Sequence, residues 1–108
     1  MPEQKYKVPT AVKNNAKRGL EIRKSMPPSQ RGGTAVGVAR AVQLSNNDYI
    51  DLETIKRMYS FLSRHSVDLE SKEFKEKGWK SKGGQAFLLW GSKSALEWTR
   101  RIVEASKD

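Results

Sequence analysis

Four side chains in the stretch LETIKRMYSFLSRH (52–65) could do recognition chemistry together. Lys56, Arg57, Ser60 and Arg64 follow one another at spacings of one, three and four, so on a helix they share the outer side. Exposed Lys, Arg and hydroxyl groups match the base edges and phosphates that duplex DNA offers to a helix lying in its major groove. The same row also describes an ordinary solvated helix face, so both readings stay open. Lys13, Lys17 and Arg18, further towards the N-terminus, are cations suited to phosphate contacts.

Two glycine-rich stretches could bind anions. Arg31-Gly32-Gly33-Thr34 and Lys80-Ser81-Lys82-Gly83-Gly84 each open an apolar run. Free N–H groups at a helix N-terminus attract anions, and glycine permits close approach. Neither stretch fits the Gly-x4-Gly-Lys-Ser/Thr spacing of a P-loop, so a backbone phosphate is a better ligand than a nucleotide cofactor. The plainer, preferred reading is that Gly-Gly gives backbone freedom for a tight helix entry. Among the tryptophans, Trp90 and Trp98 sit on apolar helix faces and read as core. Trp79, beside Lys77 and Lys80, is the candidate for stacking on a single-stranded base, or else a plug that holds its loop.

Catalytic chemistry finds little support. His65 is the only histidine and there is no cysteine, which excludes a His-based metal site, a thiolate site and a cysteine nucleophile. Following Arg64 at a helix C-terminus, His65 suits the helix dipole. Asp68, Glu70, Glu73 and Glu76 interleave with Lys72, Lys75 and Lys77 and read as a solvated face. No enzyme activity, cofactor, metal or small-molecule substrate is expected.

The charge balance points to a polyanion. The 108 residues carry a formal net charge of +9. Residues 1–31 hold eight Lys or Arg against two Glu, the footprint of a nucleic-acid partner or of plain surface solubility. The start MPEQKYKVP lacks an apolar core, and no run approaches the ~20 apolar residues of a membrane span. The expectation is a protein neither secreted nor membrane-bound, located in a cytoplasm or a virion.

Helices must position these groups. Residues 1–9 read as a loose basic arm, and 10–108 as a single helical domain. Thr10 is expected to cap a first helix over 10–24 that buries Val12, Ala16, Gly19 and Leu20, with Met26-Pro27-Pro28 ending it. Thr34 caps a second, over 34–44, whose Gly37 implies a close backbone neighbour. Asp51 caps a third, over 52–64, with an apolar stripe of Leu52, Ile55, Met58, Tyr59 and Leu62. Residues 66–82 read as a long ordered loop pinned by Phe74 and Trp79. Gly83-Gly84 precedes a short apolar helix ended by Gly91. A last helix over 93–106 opens with a Ser94/Glu97 capping box or with Ser92, and buries Ala95, Trp98, Ile102 and Ala105. No segment alternates with period two, so little or no sheet is expected.

Four blocks in order, VPTAVKNNAKRGLEIRK, RGGTAVGVARA, LETIKRMYSFLSRHSVD and FLLWG, resemble a small domain family of tailed bacteriophages. Its members stand alone or are attached to larger polypeptides, some linked to head morphogenesis. The resemblance spans roughly residues 8–104. Where this chain has Gly91-Ser92-Lys93, the family pattern carries an acidic residue and glycines. The resemblance implies a phage setting and assigns no activity to any residue.

The combined expectation is an all-α fold, a compact bundle of about five helices. Helices two and three would form a helix-turn-helix-like pair, although Ser45–Tyr49 is longer than the usual turn. The expected function is nucleic-acid binding, DNA before RNA. The alternative is a phage structural module that binds an acidic capsid, scaffold or host protein.

Overall fold

Each long helix buries much of the stripe that its residue spacing predicts. In the computed structural model, which describes residues 4–106, the elements run β1 (Lys5–Lys7), α1 (Thr10–Ser25), α2 (Ala35–Asn46), β2 (Tyr49–Asp51), α3 (Leu52–His65), α4 (Lys72–Lys77), α5 (Lys82–Leu89) and α6 (Ser92–Ala105). Single 3-10 turns occupy Pro28–Gln30, Ser66–Glu70 and Gly78–Lys80. The fold is an all-α bundle with six helices among the described residues. α1 packs on α2 and α5, and α3 packs on α6. Val12 and Ala16 of α1, Ala41 and Leu44 of α2, and Ile55, Met58 and Leu62 of α3 are fully buried. They enclose Phe87 and Leu89 of α5, a short helix with little polar surface.

The arm expected to be loose is tied down over its described part. β1 pairs antiparallel with β2, Tyr6 opposite Ile50. Val8 is 2 % exposed, and its N–H donates to the Asp48 carbonyl at 2.8 Å. Alternation in Lys5-Tyr6-Lys7-Val8 turns the apolar residues inward, but a three-residue strand is too short to register as a period. Residues 1–3 lie outside the described residues. The stretch 66–82 is not a loop: it holds α4 and two 3-10 turns. Ser71 caps α4, its Oγ accepting from the Phe74 N–H at 3.1 Å. Phe74 meets Trp79 edge-on at 5.0 Å, and Trp79 packs against the core.

Helix starts follow the cap chemistry in part. Thr34 accepts from the Gly37 N–H at 3.2 Å, and Asp51 from the Thr54 N–H at 2.9 Å, as expected. Thr10 is already helical, with Pro9 before it and no side-chain cap. Gly83-Gly84 lies inside α5, which Ser81 caps through the Gly84 N–H at 3.0 Å. The Ser94/Glu97 box does not form. α6 begins one residue after Gly91 (φ 102°), and Ser92 takes φ 62°, a left-handed conformation that costs a non-glycine residue about 1 kcal/mol. On α6, Thr99 is buried where Ala105 was expected. Gly37 makes room for a side chain rather than a backbone: a Cβ there would lie 3.2 Å from Trp90 Nε1.

The connection between α1 and α2 is locked to α5 by one amide. Gln85 is 0 % exposed. Its Oε1 accepts from the Gly32 N–H at 2.9 Å, and its Nε2 donates to the Gln30 carbonyl at 3.1 Å and the Lys80 carbonyl at 2.7 Å. Gly32 lies so close to α5 that a Cβ would meet the Lys82 carbonyl oxygen at 2.1 Å. Replacing Gln85→Leu keeps the bulk and leaves the buried Gly32 N–H and the half-buried Gln30 and Lys80 carbonyls without this partner. We expect urea unfolding to show a loss of about 2–4 kcal/mol; a loss under about 1 kcal/mol would mean that water reaches these groups.

Asp51 links the sheet to α3. The hydrogen bond from Thr54 holds its carboxyl below the ordinary value of 3.8. A lowered folded value means that the cap's contribution is present above pH ~4 and is lost as the pH falls through the folded value. Asp51→Ala should cost about 1 kcal/mol at neutral pH, and the gap from the native chain should narrow in unfolding curves taken at progressively lower pH.

Candidate nucleic-acid interface

α3 is held from behind and presents cations in front. Ile55, Met58 and Leu62 are buried against the bundle, which leaves Lys56, Arg57, Ser60 and Arg64 exposed as their spacing predicts. Arg57 Nη2 meets Glu53 Oε1 at 3.1 Å, but both side chains are about two-thirds exposed, so an incoming phosphate can displace the carboxylate at little cost. Among the described residues, no carboxylate lies within 4.0 Å of Lys56 or Arg64.

A continuous stack fixes the side of this helix. The Arg40 guanidinium lies 5.5 Å from the Trp90 ring centroid. Trp90 stacks on Phe61 at 4.5 Å and 15°, and Phe61 on His65 at 4.3 Å and 29°. His65 Nδ1 closes the row 3.1 Å from Asp68 Oδ2. The stack joins α2, the end of α5, α3 and the turn after it. His65 does sit at the α3 C-terminus, but it engages Phe61 and Asp68. Arg40 was not among the sequence candidates, because nothing local separates it from a solvated arginine on an Ala-rich helix. Its Nη1 bonds Gln43 Oε1, while its Nε is buried without a partner. Burial first, then the charge of Arg57, lower its pKa; Asp51 partly offsets this. Arg40 therefore adds a cation beside the α3 row.

The other candidates divide between structural and exposed roles. Lys13 reaches Asp48 at 2.7 Å, and that bond holds the Asp48 carboxyl below its ordinary range. Lys17 is exposed. Arg18 lies 5.9 Å from the Trp79 ring centroid, so Trp79 is a plug with a cation over it. Arg31 turns inward: its Nε donates to the Arg23 and Met26 carbonyls at 3.1 and 3.0 Å, closing the end of α1. The Gly32 N–H goes to Gln85, and its carbonyl accepts from Arg23 Nε at 2.9 Å. Gly33 supplies a turn at φ 83°. The first glycine stretch is thus a structural clasp.

Two N–H groups of the second stretch are already bonded, Lys82 to Glu73 and Gly84 to Ser81. Lys82 N donates to Glu73 Oε1 at 2.6 Å, and a Cβ on Gly83 would meet the Asp68 side chain at 2.9 Å. The Lys80 and Lys82 side chains stay exposed. The helix-turn-helix pairing is not how the chain packs: β2 intervenes between α2 and α3, whose chief neighbours are α1 and α6.

A cleft of about 710 Å³ runs between α3, α6 and the Ser66–Glu70 turn and includes Tyr59, Ser63, Leu96 and Arg100. Its arginine is taken: Arg100 lies 2.6 Å from Glu97 and 3.7 Å from Glu104. The bond with Glu97 raises the Arg100 pKa and lowers that of Glu97. Among the described residues, no three His, Asp or Glu side chains are placed to hold a metal, and no helix is long and apolar enough to cross a membrane.

Compared with family models, curated proteins and solved structures, the chain has no match.

Arg40 and Trp90 differ in what they contribute. Arg40→Met removes an unpartnered buried N–H and the repulsion with Arg57, and loses a cation–π contact of similar size. Its stability should change by less than about 1 kcal/mol, against a loss of about 3–5 kcal/mol for Trp90→Ala. Thermal unfolding of the two variants side by side checks this; a loss at Arg40 as large as at Trp90 would make the guanidinium structural.

Proposed function

We propose that this chain is a nucleic-acid-binding protein that docks α3 on duplex DNA. The observation that carries the reading is the exposed row Lys56, Arg57, Ser60 and Arg64 on a helix whose other side is packed and capped. Lys56 and Arg64 stand eight residues apart, a rise of about 12 Å along the helix. That matches the ~12 Å width of the major groove, so a helix crossing the groove brings one end cation to each wall and Ser60 to the base edges between. Lys17 and Arg18 add phosphate contacts that carry no sequence information. The deep, narrow major groove of A-form RNA admits no such helix, which favours DNA. A phage setting accords with the four ordered sequence blocks.

A second reading is a phage structural module that contacts an acidic protein. Exposed Val36 and Val67, 62 % and 60 % accessible, favour it.

Fluorescence anisotropy with a random duplex and its single strand, from about 50 to 200 mM salt, separates the two. The reading expects duplex binding with log K falling by about 0.9 per log salt for each phosphate contacted. The double variant Lys56→Ala/Arg64→Ala should reduce that slope by about 2, and Lys17→Ala should weaken all sequences alike. No duplex binding at low salt, or an unchanged slope in the double variant, would overturn the docking of α3.

A further inference from the structure

Ser29, Gln30, Glu73, Lys77, Lys80 and Lys82 line a polar pocket of about 190 Å³. The walls come from four places in the chain: the Pro28–Gln30 turn, α4, the Gly78–Lys80 turn and the first residue of α5. Three lysines meet there with a single carboxylate. Among the described residues, none of the three lies within 4.0 Å of a carboxylate. The Glu73 carboxylate is engaged through Oε1 with the Lys82 backbone N–H at 2.6 Å.

The walls are fixed by the same amide that locks the fold. Gln85 Nε2 donates to the carbonyls of Gln30 and Lys80, and both residues line the pocket. Its span is therefore set by a fully buried side chain, while the Glu73 bond to Lys82 fixes α4 against α5. Three lysines lining one small pocket each attract an anion seated among them, and the anion screens their charges from one another.

We propose that this pocket seats a tetrahedral oxyanion, a phosphate or phosphate ester, held by Lys77, Lys80 and Lys82 with the Ser29 hydroxyl as a further donor. The proposal does not rest on the α5 N-terminus, whose amides at Lys82 and Gly84 are already bonded to Glu73 and Ser81. The site is independent of the α3 row and survives if that row binds nothing.

The test is an amide NMR titration of the whole chain with inorganic phosphate, run against chloride at matched ionic strength. Shifts should saturate and concentrate on residues 29–30, 73 and 77–83. Lys80→Gln/Lys82→Gln should weaken phosphate binding at least about tenfold, as should Lys77→Gln in combination with either. Lys72→Gln/Lys93→Gln removes the same charge from exposed positions outside the pocket and should leave binding within about twofold. Equal losses in the two double variants, shifts spread over all lysines, or shifts no larger than chloride gives would overturn the site. Duplex affinity then identifies the source of the phosphate. A loss in Lys80→Gln/Lys82→Gln makes it a nucleic-acid phosphodiester; unchanged duplex affinity with lost phosphate binding makes it a free phosphorylated molecule.

Discussion

A primary amide removed from water is costly unless its polar atoms find partners, and Gln85 finds three that no secondary structure would have supplied. The Gly32 N–H and the Gln30 carbonyl belong to the connection between α1 and α2, and the Lys80 carbonyl to the turn before α5. Without this side chain the buried Gly32 N–H would lose its partner, and the half-buried Gln30 and Lys80 carbonyls would depend on water. With it, two irregular segments are tied to α5. Gly32 completes the contact, because only a residue without a Cβ lets its backbone lie against the Lys82 carbonyl. The placement of α5, and hence of Phe87, Leu89 and Trp90, follows from this junction.

The charge of +9 is not uniformly available to a partner. Arg31 and Arg23 spend their Nε groups on backbone carbonyls at the α1–α2 connection, Lys13 is drawn to Asp48, and Arg100 is held between Glu97 and Glu104. What remains outward includes the α3 row with Arg40 beside it, the exposed side of α1, the lysine corner at α4 and α5, Lys5 and Lys7 on β1, and Lys93 and Arg101 on α6. Net charge raises a polyanion partner as an expectation, but it could not say which cations the fold had already consumed. A backbone carbonyl is as good a destination for an arginine as a phosphate is, and sequence spacing does not distinguish the two.

The helices were legible because their stripes repeat over three or four turns. Ile55, Met58 and Leu62 read as a buried face at once, and Asp51 and Thr34 as caps, since both signals are local. Features that depended on distant partners were not legible. Tyr6 and Val8 alternate for too few residues to announce a strand, and only the β2 backbone makes one of them. Gly-Gly at 32–33 and 83–84 looked alike, yet the first is a clasp and the second lies in the first turn of α5, because Gln85 and Glu73 arrive from elsewhere in the chain. The Arg40–Trp90–Phe61–His65 stack draws on three elements and has no signature in any of them.

That stack bears on how α3 could act. A helix row is useful for recognition only if its side chains keep their places when the partner arrives, since ordering them on binding subtracts from affinity. α3 is fixed at its start by the Asp51 cap, along one side by α6, and along another by rings in contact from Trp90 to His65. The cost of this arrangement is visible at Arg40, whose Nε is buried without a partner and whose charge lies near Arg57. An apolar residue could cover Trp90 without that penalty. A cation there, beside Arg57 with its exposed carboxylate partner, supports the proposal that the α2–α3 side of the molecule meets negative charge. A phosphate approaching Arg57 would displace Glu53 from one arginine and relieve the repulsion on the other, so the pair gains more from an anion than two isolated surface arginines would.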